Sequence, residues 1–273
     1  MSLLPSSSPP PPVRVRAGTG PRLVFVHGSA ADHTSWSLQL ASPKLKARFE
    51  MLAYDRRSVS SVDEAAADLA AIVGDQPALV VGSSFGAVVS LALARSQAAP
   101  IAGLVLIEPP MAATDAPPDL MAAASAAVGN AAPPLESSAH FLADFDAAVA
   151  TSGGPAAGAL FLRRVLGETA FARIPRAFLD RSTAKWAEIR ADCAALIAYP
   201  PRYAELSTVS TPTLLLGGET SAPYFRRTLD ALASALPRAR IATVPRAGHM
   251  LHAEAPYAFA DLLTSFADEL GFH

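Results

Sequence analysis

Cysteine is almost missing: the 273 residues contain one, Cys193. A single thiol excludes an internal disulfide and any cysteine-rich zinc site, and its ordinary role is that of a small buried apolar residue. An excess of one charge sign is missing too. Against 24 Asp and Glu stand 22 Lys and Arg, a net charge of −2. The basic footprint of a nucleic-acid binder is therefore absent. Charged residues are scarce at 17% against 51% hydrophobic, the reverse of a disordered chain. No apolar run approaches the roughly 18 residues that span a bilayer. The longest, such as Leu104–Ile107 and Thr213–Leu216, are strand-sized. The first twelve residues, MSLLPSSSPPPP, lack Lys, Arg and a long apolar stretch, so they do not have the form of a secretory signal. Residues 1–12 read as an extended, solvated Pro/Ser-rich tail. The expectation is a soluble, cytoplasmic protein that engages neither nucleic acid nor membrane. Nothing in the sequence fixes an oligomeric state.

What is present is an alternation of short apolar runs with longer Ala-rich runs. Leu23–His27, Phe49–Tyr54, Ala78–Gly82 and Ile101–Ile107 read as strands. Helices are expected near His33–Ala47, over Ser61–Val73 and over Phe85–Arg95. Continuous apolar strands between helices indicate a parallel sheet covered on both faces. From about Met111 to Leu206 no strand is legible, and phenylalanines (Phe141, Phe145, Phe161, Phe171, Phe178) are spread among charged residues. The pattern resumes with the strand Thr213–Leu216, a helix near Tyr224–Leu236, the strand Ile241–Val244 and a helix over Pro256–Leu270. The fold class is thus α/β, a mostly parallel doubly wound sheet interrupted by a helical insertion. The core is assigned to 13–110 and 208–273, and the helical cap to 111–207. In such sheets, ligands bind outside the carboxyl ends of the strands, which makes polar residues just after strands the first candidates.

Gly82-Ser83-Ser84-Phe85-Gly86 follows the third apolar strand and opens a helix. That is G-x-S-x-G in its strand–turn–helix setting, a sharp turn that lifts the central serine hydroxyl clear of the sheet. Ser84 is the candidate nucleophile. A serine hydroxyl needs a base at neutral pH. His249 lies in Pro245-Arg246-Ala247-Gly248-His249, directly after a late strand and on the side of the sheet where Ser84 is expected.

With the elbow GSSFG stand the loop HGSAADHTSW after the first strong strand, the segment YDRR, the strand end LVLIEPP and the late AGH. In this combination the chain resembles the α/β-hydrolase fold superfamily, in particular its members with a helical cap after the sixth strand. The resemblance covers roughly residues 22–110 and 211–270. It implies a nucleophile–histidine–acid triad, an oxyanion hole and no metal or organic cofactor. The backbone N–H groups of Ser29 and Phe85 are then the two oxyanion donors. His33 and Trp36, in the same loop, are candidate substrate contacts, with loop capping and packing as the alternative.

The acid departs from the pattern. The superfamily usually carries an aspartate in the loop after the strand that corresponds to Thr213–Leu216. Here that loop is Gly217-Gly218-Glu219-Thr220-Ser221, with Ser221 at the usual position. A hydroxyl cannot stabilise an imidazolium as a carboxylate does. Glu108, at the end of the preceding strand, is the candidate acid, and Glu219 is its rival. Asp55 precedes Ser84 in the chain and is expected in an ion pair with a nearby arginine. The opening hairpin of the fold is expected to shrink to one strand near Val13–Arg16, leaving six or seven strands.

The expected activity is a serine hydrolase that cleaves a partly apolar carboxylic ester, a small molecule, through an acyl-enzyme. Alternatives on the same fold are a lactonase, a thioesterase, a carbon–carbon hydrolase or a natural-product tailoring enzyme. The further alternative is a ligand-binding receptor with vestigial hydrolysis. Haloalkane dehalogenases and most epoxide hydrolases of this fold use an aspartate nucleophile, so Ser84 argues against both.

Overall fold

The computed structural model describes residues 11–111, 138–199 and 203–273. All but the last two residues of the expected tail, and 112–137 and 200–202 of the expected helical segment, lie outside these.

Seven strands form one sheet: β1 (Val13–Ala17), β2 (Arg22–Val26), β3 (Glu50–Tyr54), β4 (Ala78–Ser83), β5 (Ile101–Ile107), β6 (Thr213–Gly218) and β7 (Ala239–Val244). Their order is β1-β3-β2-β4-β5-β6-β7. β1 runs antiparallel to β3 and every other pair is parallel. Single strands at each expected position reflect runs of β-branched and large apolar residues too short to form helices.

Side chains alternate across the sheet, so each strand feeds two cores. Val24, Val26, Leu52, Val80, Leu104, Leu106 and Leu215 face one layer. That layer is built by α1 (Val62–Val73), α2 (Phe85–Ser96) and the late helix Pro223–Ala235. Leu23, Phe25, Met51, Leu79, Val81, Val105, Ile107 and Leu216 face the other, with Trp36, Leu40 and the C-terminal helix Pro256–Glu269. α1 starts where Ser61 accepts a hydrogen bond from the Glu64 N–H at 3.1 Å and ends at Gly74, φ 66°.

The expected helix near His33–Ala47 is instead broken into a 3₁₀ turn, His33–Trp36, and two short helices, Ser37–Ala41 and Pro43–Lys46. Pro43 is the cause. The residue before a proline is pushed out of the helical region, and Ser42 is extended at φ −60°, ψ 117°.

Between β5 and β6 the described residues hold α3 (Ser138–Ser152), α4 (Gly154–Leu166), α5 (Arg176–Ala184) and α6 (Trp186–Ala198). With these in place, Pro223–Ala235 is α7 and Pro256–Glu269 is α8. The insertion has its own core of Phe145, Ala157, Leu162 and Ile189, and it includes Ala30 from the loop after β2. Cys193 packs against this core, half-buried rather than fully enclosed. No helix among the described residues is long and apolar enough to cross a membrane.

Candidate active site

The connection from β2 leads to β3 on one side, while β4 lies on the other side of β2. The strand order reverses there, and such a switch point opens a crevice at the carboxyl ends. In register, Val26 pairs with Gly82, Ser83 with Ile107, and Ile107 with Leu216. The residues just beyond these positions, His27–Ser29, Ser84, Glu108 and Gly217–Gly218, therefore emerge on one edge.

Ser84 stands between β4 and α2 with φ 54° and ψ −122°. That is a left-handed conformation for a residue with a β-carbon, costing about 1–3 kcal/mol and sustained by its surroundings. Its N–H donates to the carbonyl of Ile107 at 2.8 Å, which ties the bend to β5. From Ala78 to Ala94 every residue is buried except Ser84. The bend needs Gly86: a β-carbon there would lie 2.6 Å from the carbonyl oxygen of His27 and closer still to that of Val26. Phe85 is the first residue of α2, so its N–H has no partner inside the helix.

His249 sits in the loop after β7, its ring 5% exposed and stacked on Phe225 at 4.4 Å. Its Nδ1–H donates to Oε2 of Glu108 at 2.6 Å. The other oxygen, Oε1, accepts from the Gly218 N–H at 2.7 Å. Both carboxylate oxygens of the buried Glu108 are thus held, one of them by the loop where the superfamily usually carries its aspartate. Glu108 itself takes φ 43°, which turns its side chain from the strand end toward that loop. Glu219 points elsewhere: its Oε2 accepts from the Arg246 N–H at 2.7 Å. Ser221 is half-buried, and its enclosed hydroxyl oxygen has no hydrogen-bond partner among the described residues. Of the two acids left open by the sequence, Glu108 is the one brought to the imidazole.

The loop after β2 is fixed by a dense polar network. His27 donates from Nδ1 to the Gly28 carbonyl at 2.8 Å and accepts the Arg56 N–H at Nε2 at 2.9 Å. Burial, reinforced by the Arg56 charge, pushes its pKa down to about 3, so the ring is neutral. The Arg56 guanidinium donates to the carbonyls of His27 (2.9 Å) and Gly28 (3.2 Å). It also pairs with Asp192 of α6 through both Nη atoms, at 3.2 and 2.8 Å, and lies 4.5 Å above the Phe85 ring. Ser29 Oγ donates to the same Asp192 carboxylate at 2.7 Å. Gly28 allows this loop to reach Ser84: a β-carbon on it would stand 2.9 Å from Cβ and 3.6 Å from Oγ of Ser84.

Gly28, Ser29, Ser84 and His249 line one cavity. Its far wall comes from the insertion: Phe161, Leu162, Val165 and Leu166 of α4, and Phe178 of α5. Among the described residues, none that lines it is Lys, Arg, Asp or Glu.

Two candidate contacts are corrected. Trp36 does not line this cavity; it is fully buried between Phe25, His252 and Phe259, with ring centroids 4.7, 4.5 and 6.3 Å away. An indole of that size is drawn into the core by its apolar area. His33 is held by Asp55, which accepts from its backbone N–H at 2.9 Å and pairs with its Nδ1 at 2.7 Å. Asp55 also pairs with Arg14 at 2.9 Å, the ion pair expected for it. Asp32, His33 and Asp55 form a trio with ligand-type atoms within 4.8 Å of one another. Their lone pairs are engaged by Arg14, Thr34 and each other.

The sequence left two participants unread. Asp192 is an acid in an Ala-rich helix with no motif around it, and Phe225 is one apolar residue among many. Only Arg56 carried a signal, in YDRR.

The fold has many solved counterparts. A thermophilic esterase from Thermogutta terrifontis superposes with a TM-score of 0.72 at 21% identity, over 94% of this chain and 92% of its own. MenH from S. aureus gives 0.74 at 18% identity, over 94% and 97%. The carboxylesterase CesB from Bacillus subtilis gives 0.66 at 18% identity, over 92% and 85%. No curated protein matches the sequence. The model of the alpha/beta hydrolase family matches residues 23–262. Together with the parallel sheet, the serine elbow and the late histidine, that match shows that the chain belongs to the alpha/beta hydrolase family.

Proposed function

We propose that this protein is a serine hydrolase that cleaves an uncharged carboxylic ester through an acyl-enzyme, with Ser84, His249 and Glu108 as its triad. The observation that carries the reading is the 2.6 Å hydrogen bond from His249 Nδ1 to Glu108, on the cavity edge that also presents Ser84. With Nδ1–H committed to the carboxylate, Nε2 is the nitrogen left to take the Ser84 proton. Ser84 Oγ attacks the ester carbonyl, and the tetrahedral oxyanion is received by the N–H groups of Ser29 and Phe85. Each such donor is worth about 3–4 kcal/mol of barrier. Glu108 stabilises the imidazolium. His249 then gives its proton to the departing alkoxide, activates water on the acyl-enzyme, and returns the proton to Ser84.

The insertion acts as a cap over this site. Its apolar wall accepts an alkyl or aryl arm, the mostly apolar lining with a few polar groups that small-molecule sites carry. The uncharged lining among the described residues favours a neutral ester over a carboxylate or phosphate.

The test is turnover of p-nitrophenyl butyrate together with labelling by a fluorophosphonate, read by mass spectrometry. Stoichiometric modification of Ser84, abolished in Ser84→Ala, is expected. A folded protein that neither turns over the ester nor takes the label at Ser84 overturns the reading.

A further inference from the structure

Asp192 is the one acid that α6 inserts into the polar network beneath the loop after β2. The ion pair it makes with Arg56 is almost fully enclosed, with side chains 4% and 6% exposed. A buried pair of this kind gives little net stability compared with an apolar pair, so its geometry is the informative part. Three donors converge on one carboxylate: Arg56 Nη1, Arg56 Nη2 and Ser29 Oγ. The same guanidinium grips the carbonyls of His27 and Gly28, the two residues preceding Ser29. The peptide unit between Gly28 and Ser29 carries the Ser29 N–H. It is therefore held on one side by Arg56, through the Gly28 carbonyl, and on the other by Asp192, through the Ser29 hydroxyl.

We propose that Asp192 is a positioning residue for the oxyanion donor, a latch through which the seated insertion fixes the Ser29 N–H by holding both Ser29 Oγ and Arg56. Asp192 does not itself line the cavity around Ser84 and touches no reacting atom. Its effect passes through Ser29. The inference rests on the acyl-transfer reading given above. A donor must meet the oxyanion within a few tenths of an ångström, and displacement by about 1 Å can cost 10²-fold in rate.

The experiment compares Asp192→Asn, Ser29→Ala, Ser29→Thr and the double variant Asp192→Asn/Ser29→Ala with wild type. Ser29→Ala keeps the backbone donor and both buried charges, so it stays informative if Asp192→Asn fails to fold. Expected are a fall in kcat of about 10–100-fold with KM nearly unchanged in Ser29→Ala, and restoration by Ser29→Thr, which keeps a hydroxyl. The double variant should be no worse than the poorer single variant, because Asp192→Asn already weakens the link that Ser29→Ala removes. Multiplicative losses in the double variant, or Ser29→Ala with wild-type kcat, would overturn the latch. Wild type is the control for the reaction itself. If wild type is inert to the ester and the phosphonate, acyl transfer is what falls, and crystal structures decide the latch. Displacement of residues 27–30 in Ser29→Ala relative to wild type supports it, and superposition of that loop overturns it.

Discussion

Glu108 Oε2 and His249 Nδ1 lie 2.6 Å apart although 141 positions separate them in the chain. The glutamate leaves the end of β5 and the histidine arrives from the loop after β7, with β6 between them in the sheet. An aspartate in the β6 loop would have a shorter path. Here the extra methylene of glutamate and its turned backbone, φ 43°, span the gap. The Gly218 N–H, at the end of β6, fastens the other carboxylate oxygen at 2.7 Å.

Exchanging the two candidate acids tests this arrangement. Glu108→Gln keeps size and leaves a neutral amide facing the imidazole. Ester turnover at pH 7 is expected to fall by about 10³–10⁴-fold, the loss typical when a triad carboxylate becomes an amide. Glu219→Gln is expected to leave kcat close to wild type, since that carboxylate holds the Arg246 N–H instead. Steady-state kinetics on both variants check this, and collapse in the second alone would reverse the assignment.

Two glycines near Ser84 should respond differently to alanine. At Gly86 the added methyl meets backbone carbonyl oxygens that cannot move without breaking the β2–β4 edge. A loss of about 1–3 kcal/mol or more is expected, read as a lowered urea midpoint. At Gly28 the nearest atom is Cβ of Ser84, 2.9 Å away. Here the expected signature is slow phosphonate labelling in a protein whose urea midpoint has shifted less than in Gly86→Ala.

Acid should destabilise the fold through two buried imidazoles. His252 is enclosed between Trp36 and Phe259, and burial, with a smaller contribution from the charge of His249, pushes its pKa down to about 3. His27 is pushed to about 3 by burial and Arg56. In the unfolded chain both return to about 6.5. Between those values the unfolded state binds more protons, so stability is present above pH 6.5 and is lost as pH falls toward 3. The slope is at most about 1.4 kcal/mol per group per pH unit. Urea midpoints at pH 7.5 and 5.0 should differ accordingly, and His252→Phe should flatten the dependence. An unchanged slope in that variant would show that His252 takes no part.

Trp36 and Asp192 mark opposite limits of what the linear sequence reveals. Trp36 stands in a loop rich in motif residues, which made it a candidate contact. Its indole instead serves the core with Phe25, because apolar area outweighs proximity to the site. Asp192 stands in a helix with no local signal, yet it meets Ser29 across 163 positions. Contacts between an inserted helix and the sheet depend on docking angle and on side-chain shape. Neither follows from hydrophobic periodicity, which reports only which face is apolar.

From the sequence alone come the strand positions, the helices that follow β3, β4, β6 and β7, the elbow around Ser84 and the late histidine, because each follows from local sterics: apolar period, glycine at a crowded bend, a polar residue after a strand. The tertiary structure chose the carboxylate that meets His249, returned Trp36 to the core, walled the cavity with Phe161 and Phe178, and joined α6 to the loop after β2. Those are distances between segments far apart in the chain, and only packing in three dimensions sets them.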